Sequence, residues 1–308
     1  MTAAPPGGGG RTLLFFCYGS DAVYDQTIYA VLTALRFAPE PRPFRIAVYC
    51  DRPEAFAPLP VEAIRTEPAT LEAWLAGSDY IHRRKTCVLI DAIERFGGRI
   101  AFLDSDTYFK KSPMRLFDRI GPGRVCFHLC EGFLRSTGTP FDRALDRQLT
   151  EHPPSMPSGE VVRVDARTRM WNTGVVGIHA ADLATLRDAL ALSDAIWDGA
   201  DPDGPYGRKI HHAEQFAMGH AFRRHHIVEA ADLVHHYWPA TAKREFGAVL
   251  PELARSGLAD ASRSNLDRLY RRRYRERGSR ARLDRIKMGV RRLALFLDRP
   301  VKGVRRSV

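Results

Sequence analysis

Two carboxylates one residue apart, Asp104 and Asp106, stand where a run of apolar residues stops. The stretch from Arg99 to Lys111 reads RIAFLDSDTYFKK, and its Ile100 to Leu103 portion has the pattern of a buried strand in an α/β sheet. Ligands of such sheets gather beyond the carboxyl ends of the strands, so the pair lies where chemistry is expected. In extended chain, residues i and i+2 share a side, which turns Asp104 and Asp106 toward one ligand and Ser105 away. Two like charges so placed want a cation. A plain Asp-Ser turn is the bland alternative. The phosphatase pattern DxDx[TV] is the other: Tyr108 stands where it has Thr or Val, Thr107 comes one residue early, and the strand lies far from the first of the domain.

Other residues of chemical interest follow the same strand-and-helix logic. Thr12 to Tyr18 (TLLFFCY) reads as a first buried strand with Gly19-Ser20-Asp21 as its turn, and Ser20 or Asp21 can cap the helix carrying Tyr24, Ile28, Val31, Leu32 and Leu35. Phe44 to Cys50 is a second strand and Glu72 to Leu75 a short helix. Asp79 to Phe96 reads as an amphipathic helix whose apolar stripe includes Lys85, a lysine that needs an anion or must snorkel out. Its neighbours Arg83 and Arg84 read as solvated, with Arg84 the better placed to help. Val125 to Leu129 is a strand carrying His128 and leading to Glu131, and Arg135 to Pro157 reads as an insertion or flexible cover, of the kind that forms a lid or acceptor wall beside a site, with plain loop the default.

Met170 to His179 (MWNTGVVGIH) is a strand interrupted by Asn172-Thr173-Gly174, and a glycine there implies close approach of a ligand or backbone. Ala181 to Trp197 is an amphipathic helix, Asp201 to Gly207 a turn cluster, and Lys209 to His220 a helix start carrying Glu214 and Gln215. Ile227 to Glu229 and Leu233 to Trp238 read as edge strands. His235 and His236 fall on opposite faces of the second, so one of them can point at a bound ion; His236, directly before Tyr237-Trp238, is preferred.

With 308 residues and 44% hydrophobic content, the chain can bury a large core. The cysteines 17, 50, 87, 126 and 130 are odd in number and scattered, which fits reduced buried thiols of a cytoplasmic protein better than a disulfide framework. Cys126 and Cys130 lack the partner pair a zinc site needs. The start, MTAAPPGGGGR, lacks the apolar core of a signal peptide, and no run of about 18 apolar residues occurs. From Arg268 to Val308 there are 16 Arg and Lys against 3 Asp and Glu, a net +13, so the rest of the chain carries −2 of the overall +11. Leu283, Ile286, Val290, Leu293 and Leu297 recur at helical spacing among these arginines. Such a basic amphipathic helix fits an anionic membrane surface, packing on the body, or, least well, nucleic acid. The expected division is a disordered tail over 1–11, a catalytic domain over 12–262 and a basic helical tail over 263–308.

Taken in order, the nucleotide-type turn after the first strand, the DxD strand, the Asn-x-Gly strand, the acidic-Gln pair and a late His with a downstream Lys resemble a GT-A type nucleotide-sugar glycosyltransferase. The nearest group is family 8, the bacterial and glycogenin-like enzymes; the resemblance covers about residues 12–245 and rests on the ordered set. It implies an α/β fold of GT-A type, a Rossmann-like mixed sheet flanked by helices, with the basic helical tail appended. It implies that Asp104, Asp106 and His236 hold a divalent metal, Mn preferred and Mg possible, since a histidine ligand suits Mn better. It places Tyr18, Gly19 and Ser20 at the nucleoside, Lys243 at the diphosphate, and Asn172, Glu214 and Gln215 at the transferred sugar; inward-facing Lys85, with Arg84 beside it, is a partner or rival of Lys243 for the phosphates, and Ser105 is a further candidate on the nucleotide. The family spacing HxxGxxK appears here as HYWPATAK, without the glycine and one residue longer. The implied partners are a nucleotide-sugar donor, most of all a UDP-sugar, and a glycan or lipid-linked acceptor, with transfer by retention. A binding or adaptor protein on the same fold is the alternative. A chain lacking residues 263–308 is expected to lose co-sedimentation with anionic liposomes, and equal binding with and without them removes the membrane reading.

Overall fold

Alternation along the first strand builds the molecule. Leu13, Phe15 and Cys17 enter one apolar cluster and Leu14 enters another, because successive side chains leave a strand on opposite faces. Helices must therefore cover both faces. The computed structural model describes residues 10–136, 138–200, 210–275 and 289–290. Residues 1–9, read as a flexible tail, the turn cluster at 201–207 and most of the basic tail lie outside them.

The described residues form a seven-stranded sheet in the order β3 (Glu62–Arg65), β2 (Arg45–Cys50), β1 (Arg11–Cys17), β4 (Arg99–Leu103), β7 (Arg169–His179), β6 (Arg124–Phe133), β8 (His226–Glu229). All neighbours are parallel except those of β7, which runs against β4 and β6. One face is covered by α1 (Asp21–Phe37), α4 (Met114–Phe117), α8 (Ala240–Gly247), α9 (Leu250–Ala259) and α10 (Arg263–Arg271). The other is covered by α3 (Arg83–Phe96), α5 (Pro140–Glu151), α6 (Leu183–Asp198) and α7 (Ala213–Ala221). A short α2 (Pro68–Ala73) lies between β3 and α3 in the chain. The mixed α/β sheet flanked by helices is the architecture expected, and no helix among the described residues is long and apolar enough to cross a membrane.

Several expectations change in detail. The helix expected from Asp79 begins at Arg83, because tertiary contacts hold the preceding turn: Trp197 Nε1 donates to Asp79 Oδ1 (3.1 Å) and Tyr80 stacks on Trp197 (4.2 Å between rings). The stretch read as loop cover contains α5, whose first turn is capped by Thr139 accepting from the Asp142 N–H, with Pro140 next. The expected edge strand Leu233–Trp238 shortens to β9 (Val234–His236) and leaves the main sheet to pair antiparallel with β5 (Thr107–Phe109). Ser20 occupies the N-cap of α1 without a side-chain bond, and Asp21 pairs with Arg52 instead (2.6 Å). Strand β3 and helices α4, α8 and α9 add to the elements expected. All five cysteines are buried and free.

The start of the basic stretch belongs to the body. Leu266 and Leu269 of α10 are buried in the cluster that contains α1 and α9, and Arg36 pairs with Asp267 (2.7 Å). A truncation aimed at the tail alone therefore begins after residue 275.

Candidate metal and diphosphate site

Strand direction decides where the polar residues meet. The parallel strands β1 and β4 end at Tyr18 and Asp104, and the reversed strand β7 brings its first half, Asn172 to Gly174, to the same edge; the Asp104 N–H bonds to Gly174 O (3.0 Å). A cleft of about 660 Å³ opens there. Of the residues expected at the site, Tyr18, Lys85, Asp104, Ser105, Asp106, Asn172, Glu214, Gln215, His236 and Lys243 line it together. Gly19, Ser20 and Arg84 do not. Arg84 donates from Nε to Leu71 O (2.8 Å) with its guanidinium 5.1 Å from the Tyr18 ring centre. Gly19, at φ +83°, donates its N–H to Asp51 Oδ2 (3.2 Å), and Ser105 Oγ donates to Gln26 Oε1 (3.0 Å).

The choice between the two histidines is made by pairing register. Thr107 faces His236 and Tyr108 faces His235 across β5 and β9, so the two imidazoles leave on opposite sides: His235 packs against the Tyr108 ring (4.8 Å), and His236 meets Asp106, which the turn before β5 brings round to it. A slip of one residue would exchange them. Ligand atoms of Asp104, Asp106 and His236 all lie within 4.8 Å of one another, with His236 Nε2 3.2 Å from Asp106 Oδ1 and 4.0 Å from Asp104 Oδ2.

The donor set fits a divalent ion because the imidazole is fixed in the ligating tautomer. Asn172 Nδ2 donates to Glu131 Oε1 (2.9 Å), which turns Asn172 Oδ1 toward the Gly174 N–H (3.0 Å) and His236 Nδ1 (2.9 Å). Nδ1 therefore carries a proton, and Nε2, which faces the two aspartates, is the nitrogen a divalent ion would take. Asn172, expected at the sugar, thus orients the His236 ring. Gly174 makes room for the ring: a Cβ there would lie 2.1 Å from His236 Nδ1. The close approach implied by the strand glycine is made by a histidine side chain.

Both lysines act on these carboxylates. Lys85 Nζ lies 3.1 Å from Asp104 Oδ1, 3.7 Å from Glu214 Oε2 and 3.2 Å from Thr173 O, so the anion demanded by its inward position is the site itself. Burial lowers the Lys85 pKa, but Asp104 and Glu214 more than offset it and the net shift is upward. Lys243 stands on the first turn of α8, which starts right after Pro239 and absorbs the extra residue in HYWPATAK; its Nζ lies 2.7 Å from Asp106 Oδ2. Burial alone would raise Asp106; His236 and Lys243 hold it well below the usual carboxylate range. Glu214 goes the other way, raised by burial against the pull of Lys85. Its Oε2 accepts from Thr173 Oγ1 (3.0 Å), and its buried Oε1 has no hydrogen-bond partner among the described residues.

Sequence reasoning gave no role to Glu131, to Asp142 on α5, or to His82, His211 and His212, all of which line the cleft. The doublet His211-His212 directly before Ala213-Glu214-Gln215 was the readable signal. Asp142 was hidden in a stretch read as loop.

No family description and no curated protein matches this sequence. Among solved structures, the chain is similar to mouse xyloside xylosyltransferase 1 in its apo form, at 14% identity and TM-score 0.44 over 72% of this chain and 85% of that one. It is also similar to the apo structure of the bifunctional glycosyltransferase WbbM, at 11% identity and TM-score 0.45 over 73% of this chain and 40% of that one.

Removing the amide that fixes the His236 tautomer tests the ligand set. Asn172→Ala is expected to weaken Mn²⁺ binding, followed by electron paramagnetic resonance, by about 10- to 100-fold. An unchanged affinity would place the ion elsewhere.

Proposed function

We propose that the chain is a metal-dependent glycosyltransferase that moves a sugar from a nucleotide diphosphate donor to a glycan or lipid-linked acceptor. The observation that carries this reading is the Asp104, Asp106 and His236 cluster at the carboxyl edge of a mixed sheet, in one cleft with two lysines and an acidic-Gln pair. Two carboxylates and one imidazole suit Mn²⁺ better than Mg²⁺, which favours all-oxygen octahedral surroundings. A divalent ion held there would supply Lewis-acid chemistry to the diphosphate oxygens.

The chain's own groups have separable tasks in this reading. Lys243, about half exposed, can leave Asp106 for a diphosphate oxygen and stabilise charge on the departing nucleotide. Lys85 is enclosed by Asp104, Glu214 and Thr173, and its task is to hold those groups in place. Tyr18, with Arg84 stacked beside it, offers a face for the base of the nucleotide. The unpaired Oε1 of Glu214 and the half-buried amide of Gln215 are acceptors and donors for hydroxyls of the transferred sugar. UDP as the nucleotide and retention at the anomeric carbon come from the resemblance to family 8. Peripheral placement of the basic tail at a membrane rests on its charge and apolar spacing.

Nucleotide release from a panel of UDP- and GDP-sugars with Mn²⁺ tests the proposal. Wild type is expected to turn over at least one donor, and Asp106→Ala to lose at least about 100-fold of that activity, since it removes a ligand and strands Lys243. No metal-dependent release from any donor would leave the chain as a binding protein.

A further inference from the structure

One wall of the cleft carries chemistry that neither the metal cluster nor the diphosphate groups use. His212, just before α7, has Nδ1 2.7 Å from Asp142 Oδ1. Asp142 is 1% exposed, and Thr139 Oγ1 donates to its other oxygen (2.8 Å). A carboxylate so placed accepts from Nδ1–H and leaves Nε2 of the neutral ring as a hydrogen-bond acceptor. The His212 side chain is a quarter exposed and lines the cleft.

The position of this ring is set from behind. Tyr80, 1% exposed, donates from its hydroxyl to His211 O (3.1 Å) and accepts from the Glu214 N–H (2.8 Å), clamping the backbone on both sides of His212. Burial pulls the His212 imidazole down, and the hydrogen bond and charge of Asp142, with Glu131 and Glu214 farther off, raise it beyond its ordinary value. A tether between α5 and α7 would need no such pair, because an apolar contact of the same size avoids desolvating a carboxylate. This pair is turned toward the cleft instead.

The surroundings are apolar where the cleft meets solvent. Phe141 is 38% exposed and packs against His211 and His212 with ring centres 5.6 and 5.4 Å apart. The two histidines it packs on line the cleft, as do Ile81 and Trp238, 55% and 36% exposed. Aromatic faces beside one fixed polar acceptor suit a ligand with a hydroxyl and a hydrocarbon face, as a pyranoside has.

We propose that His212, oriented by Asp142, and the Phe141 ring form a glycoside subsite in which His212 Nε2 accepts a hydrogen bond from a sugar hydroxyl. That this glycoside is the acceptor of a transfer reaction rests on the function proposed above; the binding itself does not.

The test needs no donor. Methyl and phenyl glycosides of glucose, galactose and mannose are titrated into the full chain carrying labelled histidine, at mildly alkaline pH so that the ring is neutral. The His212 resonance is identified by its absence in His212→Gln. At least one glycoside is expected to shift that resonance, to bind at least about tenfold more weakly to His212→Phe and to Phe141→Ala, and to keep part of its affinity for His212→Gln, whose amide oxygen still accepts. Circular dichroism checks that each variant is folded. No glycoside moving the His212 resonance, or His212→Phe binding as wild type does, overturns the subsite. Nucleotide release, measured separately, reports on the transfer reading without bearing on this result.

Discussion

Three carboxylates, the buried Asp106 and Glu214 and the quarter-exposed Asp104, meet at one edge of the sheet, and their mutual repulsion is the constraint that the surrounding structure answers. Stranding a buried charge by removing its partner costs about 3 to 5 kcal/mol, a large part of a domain's whole stability. Lys85 from α3 neutralises Asp104 and Glu214, and Lys243 from α8 neutralises Asp106. The two lysines come from helices on opposite faces of the sheet, so both layers are tied to the site. The opposite shifts of Asp106 and Glu214 follow from this division: Asp106 has Lys243 and the His236 ring beside it, while Glu214 shares Lys85 with Asp104.

The third ligand depends on backbone pairing. A two-stranded ribbon of three pairs, β5 with β9, delivers His236 beside Asp106 and sends His235 to the aromatic cluster of Tyr108 and Tyr274. Gly174 then accepts the imidazole where any larger residue would collide with it, and Asn172, held by Glu131, sets its tautomer. The Asn-x-Gly interruption in a buried strand thus positions His236 beside the two aspartates.

Much of this was legible in the sequence because it rests on local pattern. The apolar run ending in Asp104 announces a strand and its ligand end, the helical stripe exposes Lys85 as an inward cation, and period two separates His235 from His236. What was not legible depends on long-range contacts. The pairing of residues 107–109 with 234–236 spans more than a hundred residues and carries no periodicity. Helix α3 starts late because Tyr80 is drawn onto Trp197, which residues 79–96 alone cannot reveal. Asp142 looked like part of a loop because a twelve-residue helix rich in charge hides its apolar face of Ala144, Leu145 and Leu149. The Asp142–His212 pair joins α5 to α7 across 70 positions of sequence and appears only once both helices are in place.

The central claim is that Asp104, Asp106 and His236 are the protein ligands of one divalent ion. Anomalous diffraction from crystals grown with Mn²⁺ tests it most directly. The account predicts a single strong peak bonded to an oxygen of each aspartate and to His236 Nε2, with Asn172 Oδ1 still on Nδ1. A peak coordinated by His235, or none between the two aspartates, would contradict it.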